Sequence, residues 1–451
     1  MHRLSSLHKL LLFVFLMGTG SQTPYSLRAQ ETKTSSLSLE AAVERALEEG
    51  WTMAQKRAAT RAARAGYQRS RATYLPQVEL QENVVRTNNP LQSFGIKLQQ
   101  EEVTEKDFDP ARLNDPAAIS NFQTQLTLKQ PIINPGAWQE RAAAEARYRA
   151  TANMESFSEA RVRFMVTQSY YGIQLQQRQV QVLRQSLQAA REMERVTGNA
   201  REEGMVQKAD LLAVQLRVRQ LENQIESARD EAVQAREQLA LMLGDTAASR
   251  LRLSDSLQMP EEENTNSPER LRLEGRGDLL AMQAGLEAKE HMLQSQRQAY
   301  WPQLNGFGNY QWNDNEAIGF GGENWMLGLQ LEWKLFAGYD RIGAIRMAGA
   351  QVQEERARMQ QYEARQRVEL RQARRQRDLA GRQLPIARLN VEQAEEAYRL
   401  RRNRQEEGMA LTTDLLQAEA ALSEARLRQL QTLYQYHIAG ARLDLLQAPA
   451  P

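Results

Sequence analysis

The sequence predicts a mainly α-helical fold with a small β part, written twice as helix, strand, loop, strand, long helix, tight turn, long helix. Three observations predict it. Short marks recur in order: Tyr74-Leu75-Pro76-Gln77-Val78 returns as Tyr300-Trp301-Pro302-Gln303-Leu304. Glu202-Glu203-Gly204-Met205, with Asp210-Leu211-Leu212, returns as Glu406-Glu407-Gly408-Met409, with Asp414-Leu415-Leu416. Between these marks, Ile132-Ile133 before Gly136 matches Leu335-Phe336 before Gly338. Second, long stretches contain no Pro and are rich in Glu, Gln, Arg, Ala and Leu, the composition of long helices. Third, two segments alternate polar and apolar residues with a period of two, the pattern of a half-buried strand.

The elements follow in order. Leu39 to Ala72 reads as an Ala-rich helix, ended by Pro76, which starts an extended run. Phe122, Thr124, Leu126 and Leu128 alternate with Gln123, Gln125, Thr127 and Lys129. Ala137 to Glu203 lacks Pro, and one helix of that length is about 100 Å long. Gly204 stops it. From Asp210 a second helix carries Val214, Val218, Leu221, Ile225, Ala228, Ala232, Ala235, Leu239 and Met242 in unbroken 4,3 spacing, a coiled-coil seam whose small Ala residues permit close approach. In the second copy, Leu304 to Trp312 is a strand expected to be Gly-rich on both faces. Its partner places Trp325, Leu327, Leu329, Leu331 and Trp333 on one face, opposite Met326, Gly328, Gln330 and Glu332. Ile342 to Gln405 is a long helix that Gly381 and Pro385 should bend or break, and Leu411 to Leu446 returns. The offset between copies falls from 226 to 204 residues, so the first copy holds a longer loop within Arg86 to Ser120.

This divides the chain into residues 1–29, a first repeat at 38–243, a linker at 244–266, a second repeat at 267–446 and a tail at 447–451. Residues 1–29 read as a secretory signal: His2, Arg3, His8 and Lys9, then an apolar run from Leu10 to Met17, with cleavage after Gly20 or Ala29. The alternative is an uncleaved interfacial helix. The apolar run is too short to span a bilayer, and no other stretch reads as a transmembrane helix.

Composition excludes several classes. The 451 residues are 41% hydrophobic and 25% charged, with formal net charge +2; the mean hydropathy is -0.64. A bundle of membrane helices is ruled out, and the balanced charge makes nucleic acid a poor partner. With no Cys, disulfides, thiol catalysis and lipid attachment to an N-terminal Cys are excluded. His291 and His437 sit in helical segments without a second ligand at metal spacing, so each reads as a surface or seam residue, and no cofactor is expected. No phosphate-cradling Gly loop or catalytic constellation is present. The Arg276-Gly277-Asp278 triplet reads as a linker and helix start.

An exported chain with no membrane helix can enter a membrane only through β-strands. Each predicted strand has about nine residues, the length a tilted strand needs to cross. Trp312, Trp325 and Trp333 are candidates for an aromatic girdle. The strands alone fit a half-buried soluble sheet equally well. One chain supplies four strands, whose open edges a bilayer does not tolerate. Three chains supply twelve, a size that encloses a pore, with the long helices continuing the cylinder.

From Ser38 to Leu446 the chain resembles the TolC-like outer membrane efflux proteins. The resemblance is carried by the motifs at Pro76 and Pro302 that lead into strands, by Pro131-Ile132-Ile133-Asn134-Pro135-Gly136 and Leu335-Phe336-Ala337-Gly338, and by the two Gly-Met turns with their Asp-Leu-Leu sequels. It implies a homotrimer with a twelve-stranded outer-membrane β-barrel and a periplasmic α-helical barrel. It also implies docking to a periplasmic adaptor protein and an inner-membrane pump of RND, ABC or MFS type. The function implied is passive export of small molecules, with type I protein secretion as an alternative. In such proteins the tight turns receive the adaptor, which points to Gly204, Met205, Gly408 and Met409; the simpler reading is that Gly terminates a helix. The family's periplasmic aperture is narrowed by carboxylates after the second turn. The first falls on Asp414, the second on Gln417, which breaks the pattern. The simpler reading of Asp210 and Asp414 is that each favours its helix N-terminus. The locks that the family uses between tip helices cannot be placed, since Gln405 and Ala410 offer none. A periplasmic coiled-coil protein outside the membrane, and an envelope hydrolase, are the competing classes; the first leaves the Trp-flanked strands unexplained and the second lacks catalytic residues.

Overall fold

The computed structural model describes residues 36–246, 251–259, 275–317, 319–407 and 409–449. The proposed signal segment, the linker residues from Pro260 to Ser267 and Gly408 lie outside the described residues. The elements are α1 (Leu39–Glu48), α2 (Trp51–Arg69), β1 (Gln77–Thr87), α3 (Pro90–Gln99), α4 (Pro110–Asn114), β2 (Ile119–Ile133), α5 (Pro135–Glu202), α6 (Lys208–Met242), α7 (Gly277–Gln298), β3 (Gln303–Asp314), β4 (Gly322–Glu332), α8 (Asp340–Glu406) and α9 (Thr412–Gln447).

The repeat is visible in the elements. The helices α5 and α8 have 68 and 67 residues, and each turns back into a shorter helix. Asn134 caps α5 by accepting the Ala137 N–H, with Pro135 in the first turn, where Pro costs no backbone hydrogen bond. Four strands form one antiparallel sheet in the order β1-β2-β3-β4, the first pair from copy one and the second from copy two.

Three expectations are corrected. The first helix is broken at Glu49-Gly50. A Cβ on Gly50 would lie 2.6 Å from the Met242 carbonyl oxygen, so the break is where the backbone at the end of α6 crosses. Second, Gly381 and Pro385 do not break α8, which is one continuous helix. Pro385 forfeits the bond to the carbonyl of residue 381, while Leu384 packs beneath it with Leu257 and Leu433 and holds the helix. Third, the strands have 11 to 15 residues rather than nine; β4, for example, starts three residues before Trp325 and stops one short of Trp333.

Helix α5 carries the packing. Near its middle, Val162, Val166, Tyr170 and Ile173 meet α1 and the end of α6 in one buried cluster. Further along, Val180, Leu183 and Ala190 lock against Val218, Leu221, Ile225 and Ala228 of α6. Burial of these α6 residues matches the 4,3 spacing. Near the turn, Met193, Val214 and Leu415 join α5, α6 and α9. The described linker, 251–259, lies along the helices: Leu253 bridges Leu37, and Asp255 Oδ2 accepts the Leu39 N–H at 2.8 Å. Leu257 is buried.

The Arg276-Gly277-Asp278 triplet is interior. Arg276 and Asp278 are about 1% exposed and form a bidentate pair at 3.0 and 2.6 Å. Arg276 also reaches Gln366 and the Leu446 carbonyl, and Tyr362 donates to Asp278 at 2.6 Å. Burial and this carboxylate raise the Tyr362 pKa well above its ordinary value. The network ties the start of α7 to α8 and the end of α9.

Candidate functional site

Register sorts the sheet into two faces of different chemistry. Because Tyr310 pairs with Trp325 and Leu126 with Tyr310, parity can be followed across all four strands. At the end away from the helices, level with Trp312 or beyond it, one face carries Glu82, Arg86, Asp314 and Glu323; its other positions hold Val78, Leu80 and Val84 on β1, Leu126 and Leu128 on β2, and Trp325, Leu327, Leu329 and Leu331 on β4. These side chains are exposed in the isolated protomer, up to 74% for Leu327. The opposite face carries amides: Gln81 and Asn83, Gln123 and Gln125, Asn309 and Gln311. Its charged residues, Glu79, Lys129 and Glu332, lie at the end next to the helices. On β3 both glycines, 306 and 308, fall on the apolar face rather than on both. A Cβ on Gly308 would lie 3.3 Å from Leu327 Cδ1, and one on Gly306 3.8 Å from Leu329 Cδ2, so neighbouring leucines fill the missing side chains.

Aromatic residues bound the apolar face. At one end Trp312 sits between Tyr310 and Phe320, 4.6 and 5.7 Å away between ring centres. At the other end Trp333, just past β4, donates to the Tyr300 carbonyl at 3.0 Å, and Tyr74, which precedes β1 at the opposite edge, stacks on Trp138. Trp325 and Trp333 are about 26 Å apart along an ideal strand, close to the height of an outer-membrane apolar band. Pro76 and Pro302 each stand directly before a strand, where the missing N–H costs no ladder bond.

The tight turns at the far helix ends share one backbone bond. Met205 N–H donates to the Ala200 carbonyl and Met409 N–H to the Arg404 carbonyl, both at 2.8 Å. Gly204 has φ +77°. Met205 and Met409 are 67% and 68% exposed. The two Asp residues after the turns differ. Asp210 closes a capping box by accepting the Gln207 N–H at 3.2 Å, as the helix-start reading predicts. Asp414 has no capping bond; it is not buried, nor is Gln417 one turn on, while Thr412, Leu415 and Ala418 on either side of them are buried.

One pairing near the turns was not read from sequence. Arg217 on α6 donates through Nε and Nη2, each at 3.1 Å, to Glu419 on α9. It joins one helical hairpin to the other. Glu419 is 3% exposed. The available signal was its place on the buried stripe of α9 between Leu415 and Leu422, where a carboxylate needs a cationic partner. His291 contacts Gln139 at 2.9 Å. His437 contacts the Gln258 carbonyl at 3.0 Å and stacks on Tyr171. Both lie in helix seams. Among the described residues no group of His, Asp and Glu is placed to hold a metal, and no helix is long and apolar enough to cross a membrane.

A sheet that is apolar on one face and amide-rich on the other, bounded by aromatics and continued by long paired helices, is a piece of a membrane channel wall. The outer membrane efflux protein family matches residues 42–245 and 270–447, and the chain belongs to that family. It is an outer membrane channel protein with a large periplasmic helical part, not an enzyme. Solved structures share the fold. The CmeC outer membrane channel of Campylobacter jejuni is 16% identical with a TM-score of 0.79, covering 90% of this chain and 85% of its own. A membrane protein from Pseudomonas aeruginosa is 20% identical with a TM-score of 0.78, covering 91% and 90%. The outer membrane protein VceC of Vibrio cholerae is 15% identical with a TM-score of 0.76, covering 92% and 97%. No curated protein sequence matches the chain.

Proposed function

We propose that three copies of this chain close one twelve-stranded barrel and form a passive conduit for small molecules, working with a periplasmic adaptor and an inner-membrane pump. The separation of the sheet into an apolar and an amide face carries this reading. Lipid accepts the first face and water the second, while the unpaired edges of β1 and β4 demand partners that a single chain lacks. The amide face offers many weak polar contacts, which suits a conduit that must release what it carries. Energy comes from the pump. The exposed Gly204-Met205 and Met409 turns are the adaptor surface, together with Gly408, since Met adapts to a partner's shape.

Asp414 lines the periplasmic aperture, one copy per protomer, and Gln417 sits one turn along. A single acidic ring attracts cations, and its missing second ring leaves the preference moderate. Two measurements test the reading. The mature protein extracted from outer-membrane fractions should have the mass of a trimer, whereas a soluble monomer or dimer would refute it. In planar bilayers, Asp414→Ala should shift the reversal potential in a salt gradient toward anions, while Asp210→Asn should not. An unchanged potential for Asp414→Ala removes that residue from the pore.

A further inference from the structure

The loop between β1 and β2, residues 88–118, has no counterpart in the second copy, where Asn315 to Gly321 suffices. It contains α3 and α4, and it does not stand away from the sheet. Gln100 donates to Asn121 Oδ1, and Asn121 to Asn313 Oδ1, each at 2.9 Å. All three amides are at most 5% exposed. The Gln99 carbonyl oxygen lies over Gly322, 1.9 Å from where a Cβ would stand, so only Gly fits there. By register, Asn121, Asn313 and Gly322 belong to the amide face. The loop is therefore clasped over the water-lined side of the sheet at the end away from the helices. Gln100 Oε1 and Asn313 Nδ2, the ends of the amide chain, are buried without partners, so the clasp is incompletely satisfied and weaker than its bonds alone suggest.

The loop's charge is one-sided. Glu101, Glu102, Glu105, Asp107, Asp109 and Asp115 face only Lys97, Lys106 and Arg112. Lys97 pairs with Asp107 at 2.6 Å. The strand wall beneath is uncharged until Glu79, Lys129 and Glu332. Leu91 and Phe108 project from the loop, 83% and 62% exposed.

We propose that this loop folds into the external mouth of the channel in every protomer, narrows it, and gives it a cation preference independent of the aperture at Asp414. The inference rests on the trimeric barrel proposed above. Three loops converging on one axis bring their surplus carboxylates together and give Leu91 and Phe108 apolar partners.

The chain has no Cys, so a single reporter thiol is clean. Gln81→Cys lies on the amide face below the clasp, and Leu327→Cys on the apolar face. Cells carrying each are treated from outside with membrane-impermeant thiol reagents of equal size, one cationic and one anionic. Gln81→Cys should react with the cationic reagent several-fold faster. Glu101→Gln, Glu102→Gln, Glu105→Gln and Asp115→Asn together should bring that ratio near one, sparing the Lys97–Asp107 pair. Gly322→Leu, or replacement of 90–117 by a short turn, should raise both rates about tenfold; either variant suffices if the other does not assemble. Equal rates with and without the loop, at a thiol that only impermeant reagents from outside reach, overturn the inference alone. If Leu327→Cys reacts as readily as Gln81→Cys, the two-faced barrel fails and the inference falls with it.

Discussion

At the scale of single residues, the same sequence motif performs different physical tasks. Asp210 and Asp414 occupy matching places in the two copies. One spends its carboxylate on the Gln207 N–H, and the other leaves it in solvent. The repeat told us that both positions exist; the distinction depends on the residue three before each, Gln207 or Leu411. Only the Gln side chain enters a capping box. The Arg276–Asp278 pair makes a second point. A buried bidentate pair loses more when one partner is removed than when both are replaced, because the survivor stays charged and dry. Arg276→Ala should destabilise the junction of α7, α8 and α9 by about 3–5 kcal/mol, and Arg276→Met with Asp278→Leu by clearly less. Hydrogen exchange on the first turns of α7 reads the difference. Similar protection in both variants would mean that the pair is not what holds the junction. Nothing in the linear sequence marked this triplet as interior, since its partners Tyr362, Gln366 and Leu446 come from distant segments.

At the scale of elements, regular periodicity was legible and closures were not. The α6 seam, the long helices and the alternating faces of β2 and β4 follow from local pattern, because coiled coils and half-buried strands repeat one environment many times. The break at Gly50 was hidden, since its cause is the crossing of α6 nearly 200 residues later. The clasp of the 88–118 loop on the sheet was equally hidden, because it joins amides from three elements. The linker is another such closure. Asp255 holds the start of α1 through the Leu39 N–H, aided by Ser254 and Tyr170, and these bonds hold its carboxyl below the ordinary value. A depressed folded pKa means that this grip is complete above the unfolded carboxylate value, about 3.9, and is lost as pH falls through the lower folded value. Exchange protection of residues 39–48, corrected for intrinsic rates, should therefore stay level from pH 7 to about 5 and fall in more acid solution. Asp255→Asn should flatten that fall. Protection that drops between pH 7 and 5 would assign the dependence to another group.

At the scale of the whole molecule, the open question is how one sheet with two free edges becomes a wall. Within a protomer β1 and β4 are separated by β2 and β3, about 14 Å at ordinary strand spacing. A disulfide needs Cα atoms within about 7 Å, so no cysteine on β1 can reach one on β4 of the same sheet. Between protomers the requirement reverses: closing the barrel makes β4 of one chain the neighbour of β1 in the next. Cysteine pairs drawn from Val78, Leu80 and Val84 on β1 and from Leu327, Leu329 and Leu331 on β4 all lie on the apolar face. Antiparallel neighbours keep one sum of residue numbers, so the true register falls on pairs that share a sum, as Val78–Leu331 and Leu80–Leu329 do, and these form the in-register diagonal. Mild oxidation in outer membranes should give a dimer and a trimer on non-reducing gels for the pairs on that diagonal, and monomer for those displaced by four residues, which are about 13 Å out of step. A matrix that yields only monomer, from protein recovered in the outer membrane, would mean that the free edges are sealed in some other way and that three chains do not share one barrel.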